Sequence, residues 1–367
     1  MNSKHFLIYV PHFSSYVPPQ GVRMKPTVHD IARTAGVSLA TVDRVLNDRP
    51  GVRAKTRDRV TAAMDTLGYV RDVGAANLAR GRLYQFDFIL PDNENTFMQS
   101  LRAELEAATE RGLSERVLIN LVLVPAFNEA ALVKALDESA ERKPDGVAFV
   151  AVDTDPVREA CARLTQLGIH TVTLVSDLDR SSRAHYVGID NGAAGRTAAH
   201  LLGLFANGTG GAIAVIAGSL KVHDHLARFE GFKSAMESGF SGREILPVLE
   251  GFDEGARVEK LVLELLEKHK DVAGIYSLGA GNSGLVRALA ASRNDSRPLV
   301  IAHERDGVTS QALKDGLVHA VLAQDAGHEI RSAIRVLKAT ADRLAIVQGQ
   351  EHIRIEIFLK DNLPQLD

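Results

Sequence analysis

The stretch Thr27-Val28-His29-Asp30-Ile31-Ala32-Arg33-Thr34-Ala35-Gly36-Val37-Ser38-Leu39-Ala40-Thr41-Val42-Asp43-Arg44-Val45-Leu46-Asn47 reads as two short helices joined by a turn. Thr27 suits the first N-cap, and Asp30 stands three residues on, where a carboxylate favours a helix N-terminus. Val28, Ile31, Ala32 and Ala35 fall on one helical face. Gly36 stops this helix and permits a tight turn. Ser38 caps the next helix, whose apolar stripe is Leu39, Val42, Val45 and Leu46, and Asn47-Asp48-Arg49-Pro50-Gly51 ends it. A third helix is predicted from Ala54, with Val60, Ala63, Met64 and Leu67 on one face and Gly68 as C-cap.

Two short helices around a Gly-containing turn describe a helix-turn-helix, whose second helix enters a DNA major groove. The first-turn N–H groups and the Ser38 and Thr41 hydroxyls suit phosphate. Leu39 and Ala40 suit thymine methyl groups, and Arg44 suits a guanine edge. A helical hairpin with surface arginines is the plainer alternative.

Charge favours DNA. The 367 residues carry 43 Lys+Arg against 46 Asp+Glu, a net −3. Residues 25–82 hold 11 basic and 6 acidic side chains, a local +5, and residues 1–24 add +2, which leaves −10 on residues 83–367. A basic head on an acidic body suggests that the head meets a polyanion and the body does not. The length suggests two to three domains, and 45% hydrophobic with 24% charged residues is an ordinary globular composition. A single cysteine, Cys161, rules out a disulfide scaffold and a Cys-rich zinc site, and it is expected to serve packing. No apolar run approaches the ~18 residues of a membrane helix. Residues 1–24 are read as a tail, with Met24 as a natural start. Phe6–Val10 is too short for a secretory signal, so a cytoplasmic location is expected.

From Tyr84 onward apolar runs alternate with helical stretches. Strands are predicted at Phe86–Leu90, Val117–Val124, Val147–Val152, Thr171–Val175, Ala212–Ala217, Ile245–Leu249, Gly274–Leu278, Leu299–His303 and Ala320–Ala323. Helices are predicted at Met98–Arg111, Glu129–Arg142, Arg158–Leu167, Ala194–Phe205, Leu226–Ser238, Ala256–His269, Ser283–Ser292 and Glu329–Ala341. Such alternation predicts an α/β, two-lobed body with two parallel sheets. Its ligands bind beyond the carboxyl ends of the strands.

The stretch from Thr27 to Asn47 closely resembles the head of the lac repressor (LacI/GalR) family. Lys55-Thr56-Arg57, Ala62-Ala63-Met64 with Leu67-Gly68-Tyr69, and Ala75-Ala76-Asn77-Leu78-Ala79 continue the likeness. The resemblance implies an all-α helix-turn-helix DNA-binding domain over 25–70, a hinge helix over 71–83, and a periplasmic-binding-protein-like effector and dimerisation domain over 84–367. It implies DNA contacts from Thr27, Ser38, Leu39, Ala40, Thr41, Arg44, Asn47 and Thr56. Leu78 matches a leucine that wedges into a minor-groove step. Two departures stand out. Asp43 occupies a position where the family usually has Ser, and Arg71-Asp72 replaces Pro-Asn.

In the body, Val187-Gly188-Ile189-Asp190-Asn191 resembles the crossover into the second lobe, and Arg228-Phe229-Glu230-Gly231-Phe232 resembles a helix whose arginine reaches a sugar hydroxyl. The resemblance further implies Asn95, Phe97, Asp177, Glu304 (in place of the usual Asp) and Gln324 as cleft residues, with Phe252 as an aromatic lid. Leu278-Gly279-Ala280-Gly281-Asn282 departs from the family pattern and leaves Asn282 to act from a shifted position. Carboxylate, guanidinium and amide groups together suit a polyhydroxylated ligand.

Two other chemistries are weighed and set aside. His223-Asp224-His225 with His303-Glu304 has zinc-like spacing. Gly279-Ala280-Gly281-Asn282-Ser283-Gly284 follows a strand and opens a helix, as a dinucleotide loop does. No metal, cofactor or catalytic residue is expected. The resulting expectation is a homodimeric repressor that binds operator DNA under control of a small sugar-like or polyol effector, with no membrane partner. The family's tetramerising tail is not expected, since eight residues follow Ile353–Leu359. A transporter's solute-binding protein and a sugar-modifying enzyme are the alternatives.

Overall fold

Ile31, Ala35, Val42, Val45 and Val60 meet at the centre of a small helical head. The structure is a computed structural model that describes residues 26–47, 49–69, 81–93, 95–178, 183–206, 210–240, 242–292 and 297–364. The chain divides into two compact units, Met1–Gly81 and Arg82–Asp367. The tail over 1–24 and most of the hinge, Leu78 included, lie outside the described residues.

In the first unit, helices α1 (Val28–Ala35), α2 (Leu39–Leu46) and α3 (Ala54–Leu67) bury their apolar stripes against one another. Thr27 and Asp30 form a reciprocal capping box: the Thr27 amide donates to Asp30 at 2.9 Å and the Asp30 amide to the Thr27 hydroxyl at 3.4 Å. Gly36 ends α1 at φ +61°, in the left-handed region that glycine enters without steric cost. Arg59 of α3 reaches back and donates to the Ala35 and Gly36 carbonyls, locking the turn to the third helix.

The second unit has two parallel layers of strands. The first lobe orders five strands β2-β1-β3-β4-β5: β1 (Tyr84–Asp92), β2 (Val117–Pro125), β3 (Gly146–Val150), β4 (His170–Leu174) and β5 (His185–Val187). Helices α4 (Thr96–Glu115), α5 (Glu129–Arg142) and α6 (Asp155–Gln166) connect them. The second lobe orders six strands β11-β10-β9-β8-β6-β7: β6 (Ala212–Ala217), β7 (Leu249–Glu250), β8 (Val272–Ser277), β9 (Leu299–His303), β10 (Ala320–Ala323) and β11 (Glu356–Phe358). Its helices are α7 (Asn191–Phe205), α8 (His223–Gly239), α9 (Gly255–Lys268), α10 (Asn282–Ala291) and α11 (Gly307–Lys314). All pairings are parallel except β10 with β11. The β6 run Ala-Ile-Ala-Val-Ile-Ala is buried at every position, as a strand covered on both faces must be.

The chain crosses between lobes three times. It leaves the first lobe after β5, returns after β10 to lay α12 (Ala326–Ala341) against the first core through Ile330, Ala333 and Leu337, and crosses again to add β11 to the second sheet. Helices α7 and α8 meet through glycine. A Cβ on Gly195 would collide with the Arg228 carbonyl oxygen, and one on Gly231 with the Gly192 carbonyl.

The two-sheet parallel architecture matches the sequence expectation, with local differences. The strand expected at Ile245–Leu249 shrinks to Leu249–Glu250, plus a lone bridge from Ile245 to Ile213. Pro247 has no N–H for the ladder, which explains the interruption. Strands β5 and β11, three residues each, and helix α11 were not anticipated. Among the described residues no helix is long and apolar enough to cross a membrane.

Candidate functional site

On the head, α2 presents Leu39, Ala40, Asp43 and Arg44 outward while Val42 and Val45 are buried. Leu39 is a large apolar side chain left 42% exposed at the start of the helix, which suits contact with a methyl-bearing surface. The Ser38 hydroxyl caps α2 by accepting from the Thr41 amide at 3.2 Å and lies 2.9 Å from the Thr41 hydroxyl. Asp43 does not stand alone: the Asn47 side-chain amide donates to its carboxylate at 2.6 Å, and Arg49 pairs with it at 3.2 Å. This partnership draws the carboxylate along its own helix and reduces its repulsion of a phosphate. It also occupies Asn47, which the sequence assigned to DNA. Thr27 is likewise engaged, in its cap. Thr56 is half-buried near the start of α3.

In the body a cleft lies at the carboxyl ends of both sheets. Asn95, Phe97, Arg228, Glu304 and Gln324 come together in it. Asn95 caps α4, its carbonyl oxygen accepting from the Phe97 amide at 3.0 Å and the Met98 amide at 3.3 Å. Arg228, on α8, is 2% exposed. Its Nε donates to Asn191 Oδ1 and its Nη1 to the Leu278 carbonyl, each at 2.8 Å. Its Nη2 lies 3.7 Å from Glu304 Oε1 and has no hydrogen-bond partner. Glu304 follows β9 and accepts from Gln324 Nε2 at 2.9 Å, while Gln324 Oε1 is buried without a partner.

Three expected residues sit otherwise. Asp177 is outside the cleft. It accepts from Thr173 and its carboxylate pairs with Arg183 at 2.6 Å, whereas the preceding Ser176 faces the cleft. Asn282 is buried under the cleft floor, donating to the His303 carbonyl and accepting from Ser277, both at 2.8 Å. It therefore holds the end of β9 and positions Glu304. Phe252 is 38% exposed at the rim, edge-on to Phe127 and under the Arg257 guanidinium.

Sequence reasoning missed several lining residues. Asp224 and His225 precede Arg228 by four and three positions, so the three share one face of α8; helical spacing was the available signal. Asp253 accepts from the Asn95 amide at 3.1 Å and from the Ala280 amide at 3.0 Å. That second bond fills the Gly279–Gly284 loop with a carboxylate where a dinucleotide would need phosphate. Among the described residues no group of three or more His, Cys, Asp or Glu side chains is placed to hold a metal ion.

Burial pushes the Glu304 carboxyl up to about 7, against the opposing pull of Arg228 and Gln324. Burial also raises Asp224, yet His225, Arg228 and Ser176 outweigh it and hold this carboxyl below its ordinary value. Burial drives His303 far down, so it is a neutral imidazole that bonds Tyr276 at 2.8 Å. The cleft therefore sets two buried carboxyls apart, Asp224 held below its ordinary value and Glu304 pushed up to about 7. Its backbone is strained as well. Phe127, Val175, Phe252, Asp253 and Glu304 adopt φ of 56°, 61°, 51°, 62° and 65°, a region disfavoured for all but glycine. Strain of this kind gathers at ligand sites, on the order of 1–3 kcal/mol each.

Comparisons with known proteins agree with this architecture. Residues 27–72 match the family described as bacterial regulatory proteins, lacI family, and residues 86–344 match the periplasmic binding protein domain. Catabolite control protein A of Priestia megaterium is 28% identical over 67% of this chain and 72% of its own length. The HTH-type transcriptional regulator DegA of Bacillus subtilis is 29% identical over 58% of this chain and 61% of its own. The sucrose operon repressor of Escherichia coli is 33% identical over 34% of this chain and 38% of its own. The chain thus spans between about a third and three quarters of the length of these curated relatives. Among solved structures, a Burkholderia graminis solute-binding protein in complex with D-arabinose superposes with a TM-score of 0.69 at 23% identity, covering 78% of this chain and 98% of that one. The glucose-galactose binding protein GanP of Geobacillus stearothermophilus gives 0.69 at 20% identity, covering 77% and 99%. These two likenesses show the fold of the body. Head and body together establish that the chain belongs to the lacI family of bacterial regulatory proteins, DNA-binding transcriptional regulators that join a helix-turn-helix head to a periplasmic-binding-protein fold.

Proposed function

We propose that this regulator is a cytoplasmic homodimeric repressor whose operator affinity is set by a small polyhydroxylated effector, a sugar or polyol, bound between the lobes of the body. The observation that carries the effector is that, among the buried polar atoms of the cleft, Arg228 Nη2 and Gln324 Oε1 have no hydrogen-bond partner. A buried polar atom without a partner costs about 1–3 kcal/mol. A hydroxyl can serve both, since it donates to Gln324 and accepts from Arg228. Repression is the role named for the similar sucrose operon repressor, and a dimer matches a two-fold operator read by two heads.

On DNA, α2 carries the recognition, with Arg44 as the base-reading cation and Leu39 and Ala40 as apolar contacts. Ser38, Thr41 and the first-turn amides hold phosphate. Effector and operator are then linked in the thermodynamic sense, so each changes the other's affinity by the same factor.

A mobility-shift assay on the DNA upstream of the protein's own gene, with and without a panel of monosaccharides and polyols, tests this. Binding that weakens steeply with salt and responds to one of these compounds supports the reading. Salt-dependent DNA binding that no compound alters would sink the effector half.

A further inference from the structure

Resting on the polyol reading, we infer that the effector is amphipathic: a hydroxyl-bearing head that also carries an apolar group, as in a deoxysugar or an alkyl or aryl glycoside. The two walls of the cleft differ in kind. Every carboxylate and guanidinium that lines it belongs to the second lobe, Asp224, Arg228, Asp253 and Glu304, as does the His225 imidazole. The first lobe contributes no charged residue to the lining, and its surface beyond the carboxyl ends of β2 and β3 is Val124, Pro125, Phe127, Leu132, Val150 and Val152.

Apart from Ser176, whose hydroxyl faces the cleft near Asp224, the polar side chains of the first lobe that line it are tied to their own backbone through their carbonyl oxygens. The Asn95 carbonyl oxygen caps α4, and its amide donates to Asp253 across the cleft. The Asn128 carbonyl oxygen caps α5 through the Ala131 amide at 3.0 Å. Asn93 Oδ1 accepts from the Asn95 amide at 3.3 Å. A ring with hydroxyls on all sides would bury some of them against carbon, where they lose water and find no acceptor. A methyl, alkyl or aryl group on that side removes the loss and adds apolar burial. The polar head still meets Arg228 Nη2 and Gln324 Oε1, which are buried without hydrogen-bond partners in the same cleft.

The test uses the full-length protein and measures affinity by calorimetry. D-glucose, D-galactose and D-mannose are each compared with the 6-deoxy analogue and the phenyl glycoside. At least one substituted compound is expected to bind ten- to a hundred-fold more tightly than its parent hexose. Val152 and Val124 are both only half-buried, so Val152→Asn and Val124→Ser are expected to fold. Each should weaken the phenyl glycoside about ten-fold and shrink its advantage over the parent hexose. A parent hexose bound as tightly as its substituted partners, or both variants leaving the preference intact, overturns the inference while the polyol reading stands. No binding by any compound of either set overturns the polyol reading and the inference with it.

Discussion

The side-chain amide of Asn95, in the first lobe, donates to the carboxylate of Asp253, in the second, across 3.1 Å. Beside it the Thr96 hydroxyl donates to Asp306 at 2.8 Å. The lobes are thus joined directly at the cleft mouth by two bonds whose donors stand at the start of one helix.

Asn95→Ala removes both a cap and a bridge. Loss of the cap alone costs about 1 kcal/mol. Hydrogen exchange at the Phe97 and Met98 amides should accelerate in Asn95→Ala, and the urea midpoint should fall. Thr96→Val deletes only the second bridge, so exchange at those two amides should stay as in the parent.

Arg228→Met leaves Asn191, the Leu278 carbonyl and Glu304 facing an apolar stem. Breaking a buried charged network from one side costs about 3–5 kcal/mol. Thermal denaturation should show a large loss, and any stabilisation by an added sugar should vanish. Arg228→Lys should recover part of the stability but not the sugar response, because an ammonium cannot reproduce the forked geometry. A sugar response undiminished in both variants would falsify the pocket assignment.

Stability should carry a pH signature from Glu304. Its folded value near 7 lies above the ordinary 4.5 of the unfolded chain, so the native state holds the proton more tightly. The stabilisation this gives is fully present below about 4.5 and is lost as pH rises through about 7. Asp224 works in the opposite sense: its lowered value gives stability above the ordinary carboxylate range that is lost on acidification. Glu304→Gln should flatten the decline between 4.5 and 7 in chemical denaturation while keeping the acid limb.

The turn of the head makes its own prediction. A methyl group on Gly36 would stand 2.8 Å from Arg59 Nη2, at a φ of +61°. Gly36→Ala should therefore destabilise the head by more than about 1 kcal/mol. The measurement is loss of specific DNA binding at lower temperature, with the body's melting unchanged.

On the recognition helix, Arg44→Ala should cost about 1–3 kcal/mol and relax preference at one base pair. Asp43→Ser should strengthen binding to operator and unrelated DNA alike, since it removes a negative charge from the exposed face of α2. Selection from randomised operators separates the two effects.

Much of the architecture was legible because its signals are local. Thr27, Gly36, Ser38 and Gly68 mark helix ends by their own conformational chemistry, and the structure uses each of them so. The runs at Ala212–Ala217 and Leu299–His303 are strands at the expected limits, since central parallel strands are apolar throughout. What escaped is non-local. Strand β11 exists only because the chain returns from the first lobe to the edge of the second sheet. Asp177 was assigned by position along the strand, but the bidentate reach of Arg183, six residues later, turned it aside. Asp253 carries no local pattern: it matters because Asn95, far away in sequence, and the Ala280 amide converge on it.

Arg228 is fastened twice to its surroundings before any effector arrives, and its helix has no freedom to slide. The backbones of α7 and α8 touch at Gly195 and Gly231, and α7 begins with Asn191, which grips the guanidinium at Nε. The two helices are thus locked together backbone to backbone, and a single methyl at position 195 would force them apart and shift Arg228 from outside the pocket.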